Sequence, residues 1–455
     1  MIVENQTFLL RKDIMMKDIQ RPISRRKFLT IAGSALAALA GGCALSGTPA
    51  AVENAAKPLR KAVKTLTGDT SLDADYIRQI ITKDSQTSRT IMWHSPYEQD
   101  GAEVVWRAAG GEEYVSVPAS NEHYTDDGQD IYLHSAHIEG LSKGASYEYR
   151  IIAKDSGTEW MPLKTDSGKS FKALIFPDTQ CSDGYVTWRD VAQDAWKRNP
   201  DTDFFINMGD LVDNGEDHNQ WNQWLTGVDG MISSIPFAPI MGNHETYTLD
   251  WKTRWPEAYL KLFDLPENGS REFNRHYYSY DYGDVHFAVV NTQWDELNDF
   301  KEGIYDEQLE WLPKDLAASK KKWKIVLLHR DVLRYGIKKR PERIPGISED
   351  VGRGFMPIFD KYGVDVVLTA HLHTYRNRGH LYNFESSSHG PYYILTGVAG
   401  NVRYPDLWID HPLDKTVAPQ PETDNYLTLE ASENALHFQC FLPDGTVIDD
   451  VTLRK

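Results

Sequence analysis

Between residues 71 and 170 the chain alternates apolar and polar positions in short runs, SRTIMWHS, AEVVWRAA, EEYVSVPA, DIYLHSAHIEGL and ASYEYRIIA, set apart by Gly, Ser, Asp and Asn. A period of two sends successive side chains to opposite faces of an extended strand, so these runs predict a small antiparallel β-sandwich. From about 171 the pattern changes. KALIFPDTQ, DFFINMGDLVDN, PFAPIMGNHE, KIVLLHRD and VDVVLTAHLH each open on an apolar, often β-branched run and close on polar residues, and VTWRDVAQDAWKRN and IYDEQLEWLPKDLAASK lie between them with helical character. Strands alternating with helices predict a layered α/β domain. Hairpins are expected around Gly283 and around Asp444-Gly445. Residues 44–70, ALSGTPAAVENAAKPLRKAVKTLTGDT, keep no persistent apolar face and read as a tether.

Where the strands end, the same kinds of residue recur: Asp178 and Gln180; Asp210, Asp213 and Asn214; Asn243, His244 and Glu245; His329; and His371 with His373. In open α/β sheets functional groups collect at the carboxyl ends of the strands. His371 and His373 stand two apart after a buried run, a spacing that on extended backbone aims both imidazoles to one side. Taken singly, each Asp or Asn is explained as a cap or turn former. Five strand ends all carrying oxygen or imidazole donors predict a metal site, and mixed N and O ligation suits Zn, Mn or Fe better than Ca. His286, inside GDVHFAVV, reads as structural, and so do His94, His134 and His137. His218, Trp221, Trp224, Tyr247, Arg330, Tyr375 and Arg376 are as well explained by packing as by a pocket.

Composition narrows the partners. The 455 residues are 41% hydrophobic and 25% charged, enough for more than one globular domain. A formal charge of −17 without a basic stripe argues against nucleic-acid backbone as a partner. An anionic substrate would have to be drawn in by bound cations instead. At the amino end, Arg25-Arg26 followed by Phe28 and an Ala- and Gly-rich apolar stretch resembles a twin-arginine export signal, too short for the roughly 20 residues of a membrane span. Cys43, after Leu-Ala-Gly-Gly, reads as a lipoprotein site that would supply a lipid anchor; plain signal cleavage nearby is the other reading. Export would place the protein in the cell envelope or outside the cell. Only Cys181 and Cys440 remain beyond it, too few for a disulfide scaffold, and their pairing stays open.

The five blocks PDTQ, MGDLVDNG, MGNHE, His329 and AHLH, in this order, resemble the calcineurin-like metallophosphoesterases, and the preceding sandwich is similar to the fibronectin-like N-terminal domain of purple acid phosphatases. The resemblance implies a four-layer α/β sandwich, two central mixed β-sheets flanked by helices, over 171–455, behind an all-β sandwich at 71–170, the tether and a signal at 1–43. It implies two divalent metal ions bridged by Asp210, the first also held by Asp178 and His373 with Gln180 as a further oxygen donor, the second by Asn243, His329 and His371. His244 would protonate the leaving oxygen and Glu245 would orient its imidazole. The substrate would be a phosphomonoester or phosphodiester; oligomeric state is left open. Three departures stand out: Gln180 replaces a histidine, Ala370 a glycine, and Asp213 the tyrosine whose ferric complex the resemblance makes the source of purple colour. The reading from another class is a cell-surface binding or adhesion protein with a degenerate metal site.

Overall fold

The computed structural model describes residues 72–419 and 423–455; the export signal expected at 1–43 and the tether expected at 44–70 lie outside the described residues. Strands β1 (Asp75–Ile80), β2 (Arg89–Ser95), β3 (Glu103–Ala108), β4 (Val115–Pro118), β5 (Ser120–Asp126), β6 (Gln129–Ile138), β7 (Ser146–Ala153) and β8 (Met161–Lys164) come first. They form two antiparallel layers, β1-β2-β6-β5 and β4-β3-β7-β8. Ile91 and Trp93 of β2, Val104, Ile138, Ile151 and Leu163 close the space between them. A period-two strand in a free-standing sandwich has one wet face. Every residue of β2 is buried, because Met92, on its other face, joins the core of the region that follows.

That region contains β9 (Phe171–Phe176), α1 (Val186–Arg198), β10 (Phe204–Asn207), α2 (His218–Gly227), β11 (Phe237–Pro239), β12 (Tyr278–Tyr282), β13 (Val285–Val290), α3 (Ile304–Ala318), β14 (Trp323–Leu328), α4 (Val351–Tyr362), β15 (Val366–Thr369), β16 (Tyr375–Tyr382), β17 (Tyr392–Thr396), β18 (Tyr426–Ser432), β19 (Ala435–Phe441) and β20 (Val447–Arg454). One sheet runs β20-β19-β18-β9-β10-β11 and continues, through a parallel contact of Phe237 with Ile80, into the first sandwich layer. The other runs β12-β13-β14-β15-β17-β16, parallel in its middle and antiparallel at its edges.

Side chains show the layering. Phe204 of the first sheet stacks on Tyr282 of the second at 4.4 Å between ring centroids. On the opposite face of the first sheet, Phe176 meets Trp188 of α1 at 5.0 Å and Phe237 meets Trp224 of α2 at 5.1 Å. The far face of the second sheet, with Val290, Val326, Leu328 and Val367, is covered by Leu312 and Leu316 of α3 and Phe355 and Phe359 of α4. The order is helix, sheet, sheet, helix, the four layers the resemblance implies. The hairpins around Gly283 and Asp444-Gly445 are present. Pattern reading left α4 undrawn, because Gly352, Gly354 and Pro357 interrupt its helical composition; its apolar face, rather than propensity, holds it.

Candidate metal centre

Five strands of the two sheets end within reach of one point. Asp178 follows β9, Asp210 follows β10, Asn243 follows β11, His329 follows β14, and His371 and His373 follow β15. Asp210, His329 and His371 form one group whose donor atoms all lie within 4.8 Å of one another, and Asp178, Asp210 and His373 form a second. Asp210 is common to both. Gln180 reaches the same carboxylate, with Nε2 3.5 Å from Asp210 Oδ2. Asn243 Oδ1 stands 3.2 Å from His329 Nε2. The structure thus gathers all seven residues expected as metal donors. A separate groove of about 1130 Å³, lined by Asp84, Asp264, Asp281, His286 and Asp315 among others, lies elsewhere, and none of these donors lines it.

Hydrogen bonds fix how the imidazoles face. His329 Nδ1 donates to Met208 O at 2.9 Å and His373 Nδ1 to Val402 O at 2.8 Å, so in each ring Nε2 is turned inward. His329 Nε2 then meets Asp210 Oδ2 at 3.1 Å and Asn243 Oδ1. Those are acceptors facing a lone pair, and only a proton or a cation resolves them. Without a cation the proton wins: burial opposes it, but Asp210 raises the His329 pKa to about 9. Burial, reinforced by His329, drives His371 well below the usual histidine range, and burial drives His373 down to about 4. Both are therefore neutral, the form that binds metal. Burial, with the neighbouring Asp210 charge, lifts Asp178 to about 8, while His329 and His244 hold Asp210 low against its burial. His371 Nδ1 and Gln180 Oε1 are buried without a hydrogen-bond partner. Buried donors left bare and carboxylates crowded together fit a pair of cations.

Two expectations change. First, β15 ends at Thr369, and His371 (φ 75°) and His373 (φ 52°) are both left-handed, not extended. The alternation argument for a shared direction therefore fails. A tight turn does the work instead, and it delivers the two rings to different donor groups. The His371 amide donates to both Asp178 carboxylate oxygens at 3.1 Å, which holds the turn in place.

Second, Glu245 does not orient His244. Its carboxylate accepts the amides of Gly242 at 2.7 Å, Leu211 at 2.8 Å and Asp210 at 3.0 Å, so it ties two strand-end loops together. The His244 ring is oriented by Asp213: Nδ1 donates to Asp213 O at 2.6 Å, with the Asp213 carboxylate 3.6 Å away. Its Nε2 lies 4.0 Å from Asp210 Oδ2. Gly209 (φ 95°) and Gly242 are required by close approach: a β-carbon at Gly209 would stand 2.6 Å from His329 Nδ1, and one at Gly242 would collide with the Asp210 carboxylate.

Sequence reading missed the loop after β17. Ala399 and Gly400 donate to Asp178 O, Val402 anchors His373, and Tyr404 packs on the His373 ring at 4.8 Å. The signal was there: TGVAGN follows a buried run as the other blocks do. Trp251, whose ring stands 5.8 Å from that of His244, was missed for want of any pattern.

The comparisons with known proteins point to phosphoesterases. Residues 171–375 match the family of calcineurin-like phosphoesterases, and residues 75–165 match the purple acid phosphatase N-terminal domain. The two matched stretches follow one another along the chain. Purple acid phosphatase 15 of Arabidopsis thaliana is 30% identical over 210 residues, 45% of this chain and 36% of the relative. A protein named probable inactive purple acid phosphatase 1, from the same plant, is 25% identical over 351 residues, 66% of this chain and 54% of the relative. The chain thus spans about a third to a half of the length of these relatives. A purple acid phosphatase from yellow lupin (Lupinus luteus) seeds shares the fold, with a TM-score of 0.70 and 20% identity over 84% of this chain and 74% of that one.

Proposed function

We propose that the protein is an exported phosphoesterase that hydrolyses phosphomonoesters or phosphodiesters at a pair of divalent cations, Zn, Mn or Fe. The observation that carries this reading is the sharing of Asp210 between two donor groups. Asp178, Gln180 and His373 would complete one cation's set; Asn243, His329 and His371 would complete the other's. Bound there, two cations supply a water nucleophile at neutral pH and offset phosphoryl charge.

The rest falls to side chains. His244 donates the proton that the leaving oxygen takes as its bond to phosphorus breaks. The Asp213 carbonyl can only accept, so Nδ1 must carry a hydrogen, and Nε2 is left to hold the transferable one. The Asp213 and Asp210 carboxylates stabilise that imidazolium. Glu245 keeps the Asp210 and Gly242 loops at fixed separation through its three short amide contacts. Arg25-Arg26 supports export, and Cys43 supports a lipid anchor, with signal cleavage the competing outcome.

The test is metal analysis with a panel of phosphate esters. Hydrolysis is expected to stop on chelation and return with added divalent metal, and Asp210→Asn should lose metal and activity together. Full activity in verified metal-free protein would sink the reading. The name of the inactive relative gives the other class its footing: a binding protein that holds no metal and turns over no ester in the same assays.

A further inference from the structure

Beyond His244 the chain doubles back on itself. Thr248 N–H donates to Lys252 O at 2.8 Å, Trp251 N–H donates to Thr248 O at 2.9 Å, and Tyr247 bridges Thr253. The turn holds Trp251 at φ 59°, the left-handed region that a bulky residue enters at a conformational cost. Burial does not offset that cost, since Trp251 is 57% exposed. Glycine or asparagine would meet the same backbone demand more easily.

What tryptophan adds is a ring at the site. The indole stands perpendicular to the His244 imidazole, with centroids 5.8 Å apart, and 6.2 Å from Tyr247, whose own ring lies 5.4 Å from His244. Tyr404, 38% exposed, packs on the buried His373 ring. If His244 protonates the leaving oxygen, the leaving group must lie against the wall that Trp251 presents. Strain kept at an exposed position next to a reacting group marks function.

We propose that Trp251 is a specificity-determining residue for the leaving group, and that it selects phosphate esters whose leaving group carries a flat aromatic ring, such as an aryl or nucleoside ester. The proposal rests on the phosphoesterase reading above. An offset or edge-on contact with the indole would favour such a group by about fivefold to tenfold over one of similar size without a ring.

Two arms test it on the metal-loaded, full-length protein. In the first, titration calorimetry compares phenylphosphonate with hexylphosphonate, whose alkyl chain is of similar size without a ring; neither can be hydrolysed. Phenylphosphonate is expected to bind about fivefold to tenfold more tightly to the unaltered protein. That advantage should vanish in Trp251→Ala and Trp251→Gly and largely survive in Trp251→Phe. In the second arm, adenosine 5′-monophosphate is compared with ribose 5-phosphate, which breaks the same kind of bond to a primary alkoxide. The kcat/KM ratio should favour the nucleotide and fall toward one in Trp251→Ala, through KM. The melting temperature of Trp251→Gly should equal or exceed that of the parent, because glycine relieves the left-handed strain.

Equal phosphonate affinities in the parent, an aromatic advantage that outlasts Trp251→Ala, or a lower melting temperature for Trp251→Gly would each overturn the proposal. Hydrolysis of both esters without preference would remove it and leave the phosphoesterase reading intact. Aromatic preference in binding without hydrolysis would overturn the phosphoesterase reading and, with no leaving group to select, the proposal that rests on it. Neither binding nor hydrolysis would remove both.

Discussion

His244 acts as an acid only as the imidazolium, because its Nδ1–H is engaged by the Asp213 carbonyl at 2.6 Å. His244→Ala is therefore expected to keep its metal and to lose turnover by roughly 10²- to 10⁴-fold, less for esters with good leaving groups. Metal content falling in step with rate would make His244 a ligand. Asp213 has a consequence for colour. Tyr185, one candidate to replace a tyrosine at that position, has its hydroxyl on the Asp213 amide at 3.1 Å and on Gln220 at 3.2 Å. Tyr247 turns its hydroxyl to Glu296 at 3.3 Å. With no tyrosinate supplied by either, oxidised iron-loaded protein should lack an intense visible band and Asp213→Tyr should gain one; an absorption spectrum of each decides it. A strong band in the parent would show that another tyrosine reaches the metal.

At the scale of elements, the strand-end loops are held by contacts too short for any added atom. Gly242→Ala would push a methyl group into the Asp210 carboxylate, and metal binding should weaken by about 10- to 100-fold, read by titration with a chelating dye. His286 ties β12, β13 and α3 together. Its two ring nitrogens donate to Asp281 and Asp315, each at 2.8 Å. Burial opposes the charge, yet the two carboxylates prevail and raise the pKa to about 9. The folded value lies above the unfolded one near 6.5, so the contribution is fully present below about pH 6.5 and is lost as pH rises through about 9. Since Asp281 is partly exposed, it amounts to about 1–3 kcal/mol. The gap in melting temperature between the parent and His286→Gln should be widest at pH 6 and close by pH 9.5. A gap that stays constant would mean that His286 acts through packing alone.

At the scale of the molecule, the β-sandwich is a structural layer of the α/β region that follows it. Gln79 Nε2 and Tyr149 Oη both donate to Ser233 O at 2.8 Å, Arg78 Nε donates to Leu262 O at 2.8 Å, and Arg254 pairs with Asp126 at 3.0 Å. Ile80, Ile81, Met92, Ile131 and Leu133 belong to the same core cluster as β9 and β10. Five such side chains contribute about 8–15 kcal/mol by apolar burial, comparable to the whole stability of a typical domain at about 5–15 kcal/mol. A fragment comprising residues 171–455 alone should therefore be insoluble or open to limited proteolysis while the full chain resists. A protease-resistant fragment with metal bound would show that the sandwich is dispensable to the fold.

Periodicity alone separated the sandwich from the layered α/β region, because alternation and helical spacing are local properties of the chain. The donor types were legible too, since Asp178, Asp210, Asn243, His329, His371 and His373 each close an apolar run that any reader can see. What the chain order could not carry was contact between residues far apart in it. That Asp210 is shared, that Glu245 holds the Asp210 amide while Asp213 holds His244, that two left-handed histidines part to different groups, and that Tyr404 reaches the site all depend on loops more than 30 residues distant being folded against one another. A side chain's type is written in the sequence; its partner is chosen by packing, because direction and distance exist only once the two sheets have closed on their common core.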